Sequence, residues 1–285
     1  MNDLLTDPRL TAANGRVAHL SLRGHVQADR FVAGETARIA VPLADLLARP
    51  DGPRNRQLLC GEAVLLLERA ERHGFVQSDR DGYCGWLDLA AIRTDHAVTH
   101  RVIAPATLLY ASPTIKRREI GSLSFGSLLA IRTEEGRFDE TMDGLFVSHV
   151  HLAPLANRMS NPASVAEMFL GTPYLWGGNS RAGIDCSGLV QAALIACGIA
   201  CPGDSDLQFR ALGRPLAADE LPKRNDLYFW KGHVALALDE KRIIHANAHA
   251  MAVTIESADT AMTRTAQAEG MSAFLGIRRI DQIRT

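Results

Sequence analysis

At 285 residues, with 47% apolar residues, 22% charged residues and a formal net charge of −1, the chain has apolar material for two or three cores. The near-neutral balance excludes a nucleic-acid or acidic-lipid surface built on a basic face, and a short cluster such as Lys116-Arg117-Arg118 reads as solvated loop. No apolar run approaches the ~20 residues that span a bilayer, so a membrane partner is not expected.

The opening stretch Met1-Asn2-Asp3-Leu4-Leu5-Thr6-Asp7-Pro8 is acidic where a secretory leader is basic, and no apolar segment follows it. Five cysteines, at positions 60, 84, 186, 197 and 201, form an odd set without a C-x-x-C pair. That pattern argues for reduced thiols over a disulfide framework or a zinc site. The expectation is a cytoplasmic protein with no metal and no cofactor.

Residues 1–37 read as an N-terminal extension. From 38 to 95 short β runs alternate with turns: Arg38-Ile39-Ala40-Val41-Pro42-Leu43, Ala63-Val64-Leu65-Leu66-Leu67-Glu68, Gly74-Phe75-Val76-Gln77-Ser78, Asp81-Gly82-Tyr83 and Gly85-Trp86-Leu87. From 96 to 155 the order repeats, with Leu108-Leu109-Tyr110, Ser127-Leu128-Leu129-Ala130-Ile131, Gly136-Arg137-Phe138-Asp139-Glu140 and Gly144-Leu145-Phe146-Val147-Ser148. The tails Gly85-Trp86-Leu87-Asp88-Leu89 and Leu145-Phe146-Val147-Ser148-His149-Val150 align as the last strands of equivalent small barrels, an internal duplication. Arg158-Met159-Ser160-Asn161-Pro162 links these units to a third region, 156–285, with Asn161 or Ser160 capping a helix from about 162 to 169.

Within that region the glycine-rich Tyr174-Leu175-Trp176-Gly177-Gly178-Asn179 precedes Asp185-Cys186-Ser187-Gly188-Leu189-Val190, where an apolar helix begins. Cys186 therefore falls in the first turn, where unpaired N–H groups and the helix dipole are expected to lower a thiol pKa of about 8.5 toward neutrality. A nucleophile needs a base. Gly232-His233-Val234-Ala235-Leu236-Ala237-Leu238 and Arg242-Ile243-Ile244-His245-Ala246-Asn247 read as two strands of a hairpin around Asp239-Glu240-Lys241. Cross-strand placement would let one imidazole hold the other, as in a nucleophile, base and orienting-group triad.

These segments, together with Pro173, Asp226-Leu227-Tyr228-Phe229-Trp230 and Ile244-His245-Ala246, resemble the NlpC/P60 cysteine peptidases, papain-like enzymes that cut cell-wall peptides. The resemblance covers roughly residues 162 to 280, and many spaced elements in order are more specific than any one of them. It implies an α+β fold with a papain-like NlpC/P60 catalytic domain over 156–285. It makes Cys186 the nucleophile, His233 the general base and acid, and His245 the orienting residue, with His249 as a rival imidazole; Asn225 stands where the family usually has glycine. The units at 38–95 and 96–155 resemble bacterial SH3 domains. In such proteins an SH3-like domain narrows the cleft, which assigns Glu62, Tyr83, Tyr174, Asp185 and Ser187 to substrate binding, Glu62, Tyr83 and Asp185 forming an acidic pocket for a primary ammonium. The implied reaction is hydrolysis of the γ-D-glutamyl to diamino acid bond of a murein-derived stem peptide with a free N-terminal L-Ala, in wall-peptide recycling. The alternatives are a thiol-dependent acyltransferase of the same fold or an exported lytic or wall-binding protein.

Overall fold

The computed structural model describes residues 7–94, 96–217 and 219–281. The first six residues, most of the stretch read above for a leader, lie outside the described residues. The chain divides into two compact units, Met1–Ala156 and Asn157–Thr285. Among the described residues no helix is long and apolar enough to cross a membrane.

The first unit is built of strands. A seven-stranded sheet runs in the order Arg54–Leu59, Leu43–Leu47, Cys84–Asp88, His73–Ser78, Ala63–Ala70, Glu35–Ile39, Ile92–Arg93. Five further strands, Gly121–Ser124, Ala106–Tyr110, Phe146–Ser148, Phe138–Thr141 and Ile131–Glu135, form a second sheet, beside the three-stranded set Leu128–Leu129, His100–Val102, Leu152–Pro154. Both halves end alike: a strand, one 3₁₀ turn (Leu89–Ala91 or His149–His151), then a short strand. Each has its own core, Leu67, Phe75 and Trp86 in one and Val102, Leu109, Leu123 and Val147 in the other.

The strands differ from the expected runs in places with a physical reason. Proline at 42 cannot donate to a ladder, and the run 38–43 divides there between Glu35–Ile39 and Leu43–Leu47. The hairpin Leu43–Leu47 with Arg54–Leu59 had no counterpart in the sequence reading, because the polar residues of 49–56 mask it. Asp81-Gly82-Tyr83 is a turn, with Gly82 at φ +75°, that leads into the Cys84–Asp88 strand. Ala12 and Val17 bury in the first core, and Arg16 and Asn14 hydrogen-bond the buried Glu68 carboxylate, so the segment 12–17 is built into this unit.

Among its described residues the second unit has a six-stranded antiparallel sheet, a two-stranded pair (Asn179–Ser180 with Gly183–Ile184) and four α-helices. The strand order is Arg214–Pro215, Phe274–Arg279, Leu227–Trp230, His233–Ala237, Arg242–Asn247, Ala252–Ser257. The helices are α1 (Pro162–Glu167), α2 (Cys186–Ala196), α3 (Ser205–Ala211) and α4 (Ala258–Glu269). Asn161 caps α1, its side chain accepting the Ser164 N–H, and Pro162 takes the first helical position, where a missing N–H costs nothing. Asn225 has φ +75°, a left-handed conformation that asparagine tolerates better than most residues, and its Oδ1 accepts the Ala163 N–H at 2.8 Å. The departure from glycine thus retains the backbone shape and adds a second cap to α1. Asp226, which follows it, accepts a bidentate pair from Arg279 and is structural.

Helix α2 is apolar on most of its surface, with Leu189, Val190, Ala193 and Leu194 fully buried, and it packs on the His233–Ala237 and Arg242–Asn247 strands. Those strands pair antiparallel with Leu236 opposite Ile244, and Asp239 closes their turn by accepting the Lys241 and Arg242 N–H groups. The helix that begins at the cysteine and the hairpin that carries the histidines therefore meet through apolar packing.

Candidate active site

Asp185 has extended backbone (ψ 179°) and ends where α2 starts. Its Oδ1 accepts the Gly188 N–H at 2.7 Å and the Ser187 hydroxyl at 2.9 Å, and its Oδ2 accepts the Gly177 N–H at 2.9 Å. It therefore serves as the helix cap and ties α2 to the glycine-rich loop, with Ser187 joined to it. Gly188 is needed for that fit. A Cβ there would lie 2.6 Å from the Gly178 carbonyl oxygen and 2.5 Å from Asn179 Oδ1, closer than real Cβ contacts.

Cys186 is 6% exposed at the first turn, and the backbone N–H groups of Val234, Ser187 and Cys186 favour its thiolate. Burial outweighs them. Desolvation, reinforced by the Asp185 charge, pushes the thiol up to about 12, which corrects the expectation of a lowered pKa. A helix start acts on a charge through a few N–H dipoles, whereas removing a sulfur anion from water costs more than those dipoles return.

His233 opens its strand and packs against the Trp230 ring at 5.6 Å between centroids. Its Nε2 lies 2.7 Å from His245 Nδ1, the rings meeting edge to face at 61°. His245 is 2% exposed, and its Nε2 lies 2.7 Å from Glu256 Oε1. Arg264 of α4 donates to both Glu256 oxygens, at 2.6 and 2.7 Å. Burial lowers the His233 pKa to about 3, helped by His245 and Arg264 and opposed by Glu256. The His245 pKa is also lowered, by burial first, with the Glu256 hydrogen bond opposing. Burial thus favours the uncharged forms of the thiol and of both imidazoles.

The structure thus brings His233 and His245 into direct contact and sets Cys186 beside the backbone of Val234, the residue after His233. Tyr174 is half-buried, and its phenol is pushed up to about 12 by burial and by the nearby Cys186 and Asp185. His249 lies in the exposed turn after the strand. Glu62 and Tyr83 belong to the first unit. Glu62 is 5% exposed and ion-paired with Arg80, and burial raises its pKa. Tyr83 is buried, its ring stacked under the Arg56 guanidinium at 5.0 Å, and Arg56 pairs with Asp81. Sequence reasoning missed Glu256 and Arg264. The available signal was the hairpin register, which sets His245 opposite Thr254 and makes Glu256 its diagonal neighbour. Among the described residues no group of three or more His, Cys, Asp or Glu side chains is arranged to hold a metal ion.

Comparison with known proteins finds relatives for both units. Residues 171–270 match the NlpC/P60 family, and residues 46–92 match the bacterial dipeptidyl-peptidase Sh3 domain. The gamma-D-glutamyl-L-lysine dipeptidyl-peptidase of Bacillus subtilis is 29% identical over 214 residues, covering 67% of this chain and 71% of that protein. Dipeptidyl-peptidase 6 of Lysinibacillus sphaericus is 24% identical over 249 residues, covering 78% and 92%. In fold, the chain is similar to the crystal structure of an NlpC/P60 family protein from Bacillus cereus, with a TM-score of 0.72 at 21% identity over 86% of this chain and 99% of that one. The cysteine-bearing unit is accordingly an NlpC/P60 domain of the cysteine-peptidase type, and the chain combines it with a bacterial SH3 domain.

Proposed function

We propose that the chain hydrolyses the γ-D-glutamyl to diamino acid bond of murein stem peptides, acting on free peptides with an unblocked N-terminal L-Ala. The observation that carries this reading is the His233–His245 hydrogen bond on a hairpin whose Val234 backbone meets the helix-start Cys186, in a chain whose relatives bear dipeptidyl-peptidase names. Those names support release of a dipeptide, here L-Ala-γ-D-Glu. A cytoplasmic recycling role belongs to the same proposal, and the five free cysteines agree with a reducing compartment.

The chemistry follows from neutral partners. His233 removes the Cys186 proton as sulfur attacks the γ-carbonyl carbon, so charge separates only as the bond forms. Helix-start N–H groups and the Tyr174 hydroxyl hold the oxyanion. His233 then returns the proton to the leaving amine as the C–N bond breaks, leaving a thioester. Water, deprotonated by the same imidazole, releases the dipeptide and restores the thiol.

The test is incubation with L-Ala-γ-D-Glu-meso-diaminopimelate, its lysine counterpart and their N-acetylated forms, with products identified by mass spectrometry. The proposal requires cleavage at the γ-glutamyl bond of the free peptides and slow cleavage of the acetylated ones. Acyl transfer to added amines without hydrolysis, or preference for intact crosslinked murein, contradicts it.

A further inference from the structure

Two charged side chains beyond the histidines are not explained by the reaction as written. Glu256 touches His245, and Arg264 grips both oxygens of Glu256. We propose that Glu256 and Arg264 are positioning residues for this hydrolysis: Glu256 fixes the tautomers of His245 and, through it, His233, while Arg264 holds the Glu256 carboxylate in place against the His245 ring. The inference rests on His233 being the base.

The derivation is a count of donors and acceptors. The Arg264 hydrogen bonds hold the Glu256 carboxyl below the usual carboxylate range, so it can only accept. His245 Nε2, 2.7 Å away, must then carry the proton, which leaves Nδ1 with a lone pair on a neutral ring. His233 Nε2, 2.7 Å from that lone pair, must in turn donate. His233 Nδ1 is therefore the nitrogen without a proton, and the one left to act as the base. A carboxylate two residues removed from the base dictates which of its nitrogens is basic, and the same chain of hydrogen bonds stabilises the imidazolium once the thiol proton arrives.

The bland reading of the pair is a strap that ties α4 to the Ala252–Ser257 strand. The two readings separate because Glu256 touches a ring, its Oε1 lying 2.7 Å from His245 Nε2, whereas Arg264 donates to Glu256. Burial lowers the His233 pKa, His245 and Arg264 lower it further, and Glu256 opposes them; on His245, too, Glu256 raises and Arg264 lowers. The uncharged Trp230 indole packs against the His233 ring. A strap would make loss of either side chain equivalent.

The experiment uses the full chain, as wild type, Glu256→Ala and Arg264→Ala, with ring ¹⁵N NMR of the histidines at pH 7 and steady-state kinetics on the tripeptide. In the wild type, His233 should be protonated on Nε2 and bare on Nδ1, and Arg264→Ala should keep that tautomer. Glu256→Ala should move a substantial fraction of the His233 proton to Nδ1. It should lower kcat by about 10- to 100-fold with KM within about threefold, and added formate should restore part of the rate. Equal losses in both variants with unchanged tautomers mean a strap and overturn the proposal. If Glu256→Ala does not fold, the wild-type spectrum decides alone: a proton on His233 Nδ1 overturns the inference. The expected tautomers in a protein that does not cleave the tripeptide would support the relay and count against the substrate assignment only.

Discussion

His233 Nε2 and His245 Nδ1 are 2.7 Å apart although the two residues are not directly opposed in their hairpin. With Leu236 opposite Ile244, the register sets His245 level with Ala235, so the rings meet on the diagonal. This contact ranks the histidines. His233→Ala should cost about three orders of magnitude or more in kcat, because the base itself is lost. His245→Ala should cost less, and His249→Ala, in an exposed turn, should stay within about twofold. Steady-state kinetics on the tripeptide check the order, and a larger loss at His249 than at His245 contradicts it.

Cys186→Ala should abolish hydrolysis while leaving the fold intact. The change removes one sulfur atom from the first turn, and the Asp185 cap that starts α2 is made by backbone and Ser187 groups that remain. Circular dichroism and thermal melting should match the wild type within the few degrees expected of a small buried truncation.

The pH behaviour follows from burial. With the thiol pushed up to about 12 and the His233 imidazole down to about 3, both are neutral at pH 7. Iodoacetamide should therefore alkylate Cys186 slowly at pH 7 compared with free cysteine, and the acid limb of kcat/KM should lie well below the ordinary histidine value of 6.5. For stability the sign is fixed by the depressed histidine. Between pH 6.5 and about 3 the unfolded imidazole binds a proton that the folded one refuses, so stability is lost as pH falls through that window. The Tm difference between wild type and His233→Ala should accordingly shift against the wild type from pH 7 to pH 4.

At Asn225 two effects are separable. Asn225→Gly keeps the left-handed backbone but leaves the buried Ala163 N–H without its acceptor, costing about 1–3 kcal/mol. Asn225→Ala loses the same bond and adds about 1–2 kcal/mol of backbone strain. Denaturant unfolding should rank wild type above Gly above Ala, and equal stability of all three would show that the side chain caps nothing.

The helix start at Cys186 and the His233 and His245 strands were legible because their signals are local: apolar periodicity, turn glycines and a charged three-residue turn. Glu256 and Arg264 were not, because their link to His245 depends on a strand register and on the return of α4 over the sheet, neither of which spacing encodes. The upward shift of the Cys186 thiol is hidden from the sequence for a related reason. Residues at a helix start announce N–H dipoles, but desolvation of the sulfur depends on what packs over it. In the first unit the run 38–43 reads through Pro42, although a residue without an N–H divides it between two strands, and the Leu43–Leu47 and Arg54–Leu59 hairpin is hidden by its polar turn.

The most direct test of the account is to trap the acyl-enzyme. The wild-type chain is mixed with L-Ala-γ-D-Glu-meso-diaminopimelate, quenched in acid within the first turnovers, digested and mapped by mass spectrometry. The account predicts an L-Ala-D-Glu acyl group in thioester linkage on the peptide containing Cys186, labile to hydroxylamine and absent from Cys186→Ala. Turnover that proceeds undiminished after Cys186 is replaced or fully alkylated would contradict it.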